Sequence, residues 1–310
     1  MQAYTHYNFG HDEWHNATQQ FQKWKWAKNP HQYRRGPIAF GPAVGPRQDF
    51  FGRPRQASHS TFVTAAVKFK TSRTFLQSLF PTEKFSFISP GTVAYASFST
   101  TTLGKMDWLG GGGYNHLGLY VHGCRYTKEN GEIIDGTYMP LLFESLTDPI
   151  VTGRDELGMP KIYCAIDIHR RSHSWRMQAS WQGAVFGNIA LEDLQAVDPK
   201  SESGTFGGEA DRGHLVYRYI PKVGVRGEAD CEYPVFVDHF REGQNIPSTV
   251  TSTSKAARAK ITWDPLDWEA LPTLHHIVST LAEIPIYEIV GAKVVEGHGV
   301  PDVSSASRIE

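Results

Sequence analysis

Gly153-Arg154-Asp155-Glu156-Leu157-Gly158-Met159-Pro160-Lys161 is the stretch on which the reading of this chain turns. Just upstream, Asp148-Pro149 offers a capping carboxylate and a proline whose fixed φ suits a first helical turn, while Gly158 offers a stop. The spacing therefore predicts a helix over 149–157. Lys161 follows it, ahead of a strand-like run from Ile162 to His169, with Met159, Pro160 and Ile162 as apolar neighbours. Burial disfavours the ammonium form of a lysine, and the free amine can attack a ketone to form an imine. The ordinary alternative is a solvated surface charge, because lysine is rarely buried.

Outward from that segment the pattern is mostly strand. Phe62 to Phe69 alternates. Ser72 then caps a short helix whose Phe75, Leu76, Leu79 and Phe80 share a face until Pro81. Further strand-like runs are Thr92–Ser99, Leu117–Cys124, Tyr138–Phe143, Ser174–Trp181, Ala184–Leu191, Leu215–Ile220 and Ala257–Trp263. Asp264-Pro265 opens a second helical region containing Leu274, Ile277, Val278 and Leu281, before Ile284–Val295 returns to strand. Many strands with few helices, not regularly alternating, give an α+β class rather than a doubly wound sheet. Residues 1–60 differ in texture, being rich in His, Gln, Arg, Pro and aromatics, and are read as an N-terminal arm ahead of a domain at 61–310. The arm's Trp14, Trp24 and Trp26 are expected to pack on something. The polar stretch Ser201 to Gly213 reads as a long loop that could overhang a site. Its Gly207-Gly208 has neither the lysine nor the spacing of a phosphate cradle.

Composition excludes several classes of partner. Thirty-one Lys+Arg against 32 Asp+Glu leave a formal charge of -1, which gives no footprint for nucleic acid or an anionic membrane. Cys124, Cys164 and Cys231 lack metal-type spacing, and residues 1–14 lack the apolar core of a signal peptide, so a cytoplasmic setting is expected. The 14 histidines show no ligand spacing of the His-x-Glu-x-x-His kind, and His275-His276 reads as packing on a helix. Neither a metal nor another cofactor is called for.

The pattern Gly-Arg-acidic, four residues, Pro-Lys resembles the Schiff-base segment of the acetoacetate decarboxylase superfamily. The terminal block Ile284-Pro285-Ile286-Tyr287-Glu288-Ile289-Val290 also resembles that family, and the order of elements between the two is similar. The resemblance implies an acetoacetate decarboxylase-like fold, a closed cone-shaped β-barrel with flanking sheet and helices, whose interior holds the lysine. It also implies homo-oligomers and a substrate-binding arginine, for which the 47–55 region and Arg154 are candidates.

The chain departs from the family pattern at two places. A second lysine follows the nucleophile in the decarboxylase proper, where this chain has Ile162. In Tyr114-Asn115-His116-Leu117-Gly118-Leu119-Tyr120, which resembles a stretch with an acidic residue two places after a tyrosine, that place holds His116. The sequence therefore nominates Lys161 as the imine-forming nucleophile and His116, with an ordinary pKa near 6.5, as proton donor or acceptor. Arg154, Tyr114, Met159 and Phe143 are nominated to bind substrate. The expected activity is a carbon–carbon lyase of secondary metabolism that transforms a β-keto acid or polyketide-like carbonyl compound. The same imine also serves aldol, dehydration or cyclisation chemistry. A silent barrel binding an apolar small molecule and a histidine-dependent metal enzyme are the competing classes.

Overall fold

The structure, a computed structural model, describes residues 32–49, 52–53, 55, 59–201, 212–239, 248–300 and 306–310. Trp14, Trp24 and Trp26, and the proposed overhanging loop across 202–211, lie outside the described residues. The chain divides into two units, Met1–Gln56 and Ala57–Glu310. In the first, the buried Gln48 amide organises the chain, donating to the carbonyls of Tyr33 and Ala43 and accepting from the Tyr33 amide.

The second unit opens with β1 (Thr61–Ser72), whose alternation places Val67 and Phe69 on one fully buried face. Ser72 then accepts a hydrogen bond from the Phe75 amide at 3.2 Å and starts α1 (Arg73–Gln77), as the sequence indicates. The following strands are β2 (Phe85–Phe87), β3 (Val93–Gly104), β4 (Tyr114–Thr127) and β5 (Ile133–Glu144). After α2 (Thr147–Leu157) come β6 (Lys161–Tyr163), β7 (Ala165–Arg171), β8 (Ser174–Trp181) and β9 (Ala184–Val197). The chain continues through β10 (Gly213–Pro221), β11 (Ala229–Asp238), β12 (Thr249–Trp263), α3 (His275–Glu283), β13 (Glu288–His298) and β14 (Ala306–Arg308).

Hydrogen bonding joins β5, β4, β3, β1, β13, β12, β9, β8 and β7 in that order. The circuit closes because β6, which runs straight on into β7, pairs in parallel with β5 at Leu142, Phe143 and Glu144. At the seam the Cys164 amide donates to the Glu144 carbonyl at 3.2 Å, and Asn115 Nδ2 donates to the Ile166 carbonyl at 2.9 Å. The other half of the same β5 edge pairs with β10 at Thr137 and Tyr138, and β11 and β14 extend outward from there as the flanking sheet. This is an α+β fold dominated by a closed barrel with attached sheet and helices.

Side-chain contacts identify the concave face. The Phe98 ring of β3 lies 4.9 Å from Trp263 of β12, and Phe143 of β5 lies 5.6 Å from Phe186 of β9, pairs that are not neighbours in strand order. Such contacts require a wall curved around them. The interior is packed solid by Trp175, Met177, Leu117, Leu119, Ile189 and Leu191, with Val278 and Leu281 of α3 joining the same cluster. Each of the larger apolar groups contributes about 1.5–3 kcal/mol by leaving water. A smaller cluster, Met139, Leu142, Leu157, Met159, Val216, Val235 and Val237, lies on the opposite face of β5, between the wall, α2 and the β10–β11 sheet.

Two expectations change. The helical region opened by Asp264-Pro265 is helix only over His275–Glu283, because Asp264 and Asp267 side chains accept from the Leu266 and Ala270 amides and turn the chain instead. The run Ile162–His169 is interrupted at Cys164, where the strand passes from β5 to its next partner.

Candidate active site at Lys161

The site is set by strand register and one helix. Alternation puts Lys161 on the face of Leu142, its partner on β5, and Ile162 on the face of Phe143. Phe143 and Ile162 point to the barrel interior, so Lys161 points to the outer cluster. The lysine is therefore not held in the barrel interior, as the resemblance implied, but in the layer between barrel wall and α2. That layer still excludes water: the Lys161 side chain is 8% exposed.

Its amine is held at two points. Lys161 Nζ lies 2.7 Å from Glu144 Oε1 and donates to the Pro149 carbonyl of α2 at 3.1 Å. The helix approaches closely enough to do this because Gly153 has no side chain. A Cβ built there falls 2.4, 2.5 and 2.6 Å from Lys161 Cε, Cδ and Nζ. Gly158, in the left-handed region at φ 70, ends α2, and the Gly153 carbonyl accepts from the Met159 amide at 3.1 Å. Arg154 Nη1 then donates to the Lys161 carbonyl at 3.0 Å, tying the helix to β6.

Glu144 is 1% exposed and comes from the end of β5, directly opposite His116 on β4. Burial pushes its carboxyl above the ordinary value, and the Lys161 ion pair opposes that rise. Burial also drives the His116 imidazole down to about 3, with the Lys161 charge adding to the fall. His116 is therefore neutral at physiological pH and does not supply the near-neutral titration that an ordinary histidine would. Tyr120, two positions past Gly118 on the same face, folds its ring back along the strand. Its hydroxyl lies 2.9 Å from where a Gly118 Cβ would stand, on the side of Leu142 and Lys161. Burial raises its phenol, and the Glu144 charge raises it further.

The buried His116 Nδ1 and Glu144 Oε2 have no hydrogen-bond partner, although most buried polar atoms in proteins are paired. His116 and Tyr120 are each half-buried. The arrangement offers a buried amine, a carboxyl able to take its proton, and two unpaired polar atoms beside them.

The nominated residues separate accordingly. Lys161 and His116 are brought together. Met159 packs beside them in the outer cluster, its carbonyl accepting from the Lys161 amide at 2.9 Å. Tyr114 shares the His116 face of β4 but meets Trp108 edge-on at 6.4 Å. Arg154 reaches the lysine's backbone. Phe143 is not at the site, because the pleat sends its ring into the barrel against Phe186. Within the first unit, Arg55 Nε donates to the carbonyls of Gly45 and Gln48. The sequence reading missed Glu144, Tyr120 and the spacing role of Gly153. Tyr120 was within reach, since Tyr114, His116, Gly118 and Tyr120 follow the two-residue period of a strand.

The sequence profile of the acetoacetate decarboxylase family matches residues 36–298, which is most of the chain. The chain belongs to the acetoacetate decarboxylase family. No protein of curated function matches the sequence. Solved structures with the same fold include an acetoacetate decarboxylase, with a TM-score of 0.56 and 13% identity over 84% of this chain and 94% of that one. The acetoacetate decarboxylase of Legionella pneumophila aligns with a TM-score of 0.55 and 15% identity over 81% and 90% of the respective chains. The enduracididine biosynthesis enzyme MppR, solved with pyruvate, aligns at 0.52 and 12% over 82% and 94%. Identities this low establish the acetoacetate decarboxylase fold and leave the reaction to the residues around Lys161. Among the described residues, no helix is long and apolar enough to cross a membrane.

Proposed function

We propose that this protein is a Schiff-base lyase that uses Lys161 to transform a keto acid or polyketide-like carbonyl compound. The observation that carries the reading is the buried contact of Lys161 Nζ with Glu144 Oε1 at 2.7 Å. An ammonium cannot attack a carbonyl. A carboxyl whose proton affinity is raised by burial is a suitable acceptor for the proton that must leave, and Glu144 is such a group. The neutral amine adds to the carbonyl carbon, water departs, and the resulting iminium nitrogen accepts an electron pair from the adjacent bond. In a β-keto acid that bond is the one to the carboxylate, so carbon dioxide leaves and an enamine remains. Glu144 gives the proton it accepted to the departing hydroxyl, a proton drawn from solvent then reaches the enamine carbon, and hydrolysis frees the product and the lysine. His116, neutral throughout, lends its unpartnered ring nitrogen to the substrate or to the hydrolytic water.

A second reading uses the same enamine to form a carbon–carbon bond with an aldehyde. It draws on a structural neighbour, MppR, solved with the condensation product of pyruvate and imidazole 4-carboxaldehyde.

The test is incubation with pyruvate, acetoacetate and larger keto acids in the presence of borohydride, followed by peptide mapping. The expected result is a reduced adduct at Lys161, absent from Lys161→Arg, because arginine stays protonated. Adducts confined to other lysines would overturn the reading. Release of carbon dioxide, against a product mass increased by the aldehyde, separates the two reactions.

A further inference from the structure

The flanking sheet grips the end of the helix that leads to Lys161. Arg218 of β10 donates from Nη1 to the Asp155 carbonyl in the last turn of α2, at 2.8 Å. That carbonyl is among the four at a helix end that have no partner within the helix, and a cation placed there also complements the helix dipole. The contact continues into the helix stop. A Cβ built at Gly158 falls 2.9 Å from Arg218 Cβ and 3.3 Å from Val235 Cγ2 of β11, so the sheet lies directly against the turn that Gly158 makes. Arg218 is half-buried, and its Nε is buried with no hydrogen-bond partner. Most buried polar atoms are paired, so an arginine that leaves one unpaired calls for a reason, and the helix end supplies it. The guanidinium lies over the ring of its cross-strand partner Tyr233, 5.9 Å from the centroid, and Arg308 of β14 lies over the same ring at 4.5 Å.

We propose that Arg218 is a positioning residue for the Lys161 amine, acting from the flanking sheet through α2. The proposal takes from the Schiff-base reading only that Lys161 is the reacting group. Lys161 stands three positions after Gly158, and the same helix supplies both the Pro149 carbonyl that receives Nζ and the gap at Gly153 in which the side chain lies. Holding the C-terminal end of so short a helix therefore fixes the amine from two directions. Arg154, on the helix itself, ties it to β6, and Arg218 ties it to the sheet on the other side of the outer cluster. Without Arg218 the last turn gains freedom that the amine inherits, which slows attack on a carbonyl rather than weakening its binding.

The experiment compares full-length wild type, Arg218→Met, Arg218→Lys and Glu310→Gln by two readouts. One is the rate of borohydride-trapped adduct formation at Lys161 as pyruvate is raised to saturation. The other is amide hydrogen exchange across 153–163, which includes the Met159 amide bound to the Gly153 carbonyl. In Arg218→Met the rate at saturation should fall on the order of tenfold with the half-saturating concentration unchanged, and exchange in 153–163 should quicken. Arg218→Lys keeps a cation and a donor at the helix end and should recover most of both. Glu310→Gln gives up contacts to Lys84, Tyr126 and Glu129, none of them on α2, and should change neither. Should Arg218→Met fail to fold, Tyr233→Leu withdraws the ring under the guanidinium and shifts both readouts in the same direction. Rate and exchange indifferent to Arg218, a change in half-saturation alone, or an equal loss in Glu310→Gln overturns the proposal. Wild type that forms no adduct at Lys161 removes the imine, and exchange in 153–163 that still quickens in Arg218→Met then leaves the positioning role standing. An adduct that forms equally fast in every variant does the reverse.

Discussion

At the scale of single residues, the site depends on close approach as much as on charge. Gly153→Ala places a methyl carbon 2.4 to 2.6 Å from three atoms of Lys161, well inside contact distance, so the amine must move. Misplacement of a reacting group by about 1 Å costs on the order of a hundredfold in rate. Borohydride trapping at Lys161 should slow by that order in Gly153→Ala while the far-ultraviolet spectrum is unchanged. Glu144→Gln acts differently. It leaves a buried ammonium without its carboxylate, a change that typically destabilises by roughly 3–5 kcal/mol, and it removes the proton acceptor. Both a lower melting temperature and slower trapping are expected, whereas loss of neither would mean that Lys161 finds its compensation elsewhere. His116→Ala should leave trapping intact but slow turnover of the trapped species by on the order of a hundredfold. Unchanged turnover would remove His116 from the chemistry.

At the scale of elements, the strands were the most legible part, because alternation leaves a plain mark in runs such as Ser174–Trp181. Ala229–Asp238 was not found, because Cys, Glu, Tyr and Pro in succession obscure its period, and β2 and β14 are too short to show one. Glu144 escaped for another reason. In sequence it is one carboxylate closing an apolar run, and only the pairing of β5 with β4 and β6 brings it to His116 and Lys161. Pairing over such distances along the chain leaves no local trace. One short element makes a separate prediction. β14 leads to Glu310, whose carboxylate binds Lys84 at 2.7 Å, the Tyr126 hydroxyl and the Glu129 amide. The Lys84 hydrogen bond, then those from Tyr126 and Glu129, pull this carboxyl from 4.5 to about 2. A depressed carboxyl stabilises the fold fully above its unfolded value and loses that contribution as pH falls through the folded one. The melting-temperature gap between wild type and Glu310→Gln should therefore be constant above pH 4.5, shrink below it, and vanish near 2. A gap that persists at the acid end would assign the difference to packing.

At the scale of the whole molecule, the family was legible from the Schiff-base segment ending in Pro160-Lys161 and the terminal block at 284–290 taken together, in their order along the chain. The first unit is the part least specified. A chain lacking residues 1–56 should show a lower melting temperature or a smaller mass by light scattering, and no change in either would make that unit dispensable. The three residues of β6 close the barrel and also carry Lys161, the proposed nucleophile. On the proposed chemistry, a ring that springs open at this clasp loses its reactive amine in the same event, so a half-folded chain offers no loose imine-forming centre to the aldehydes and ketones around it. Chemical competence then serves as a report on ring closure. In a denaturant series, the fall in adduct formation at Lys161 and the loss of the barrel's aromatic circular-dichroism signal should share one midpoint, making the protein safe to synthesise before it is finished and active only once it is whole.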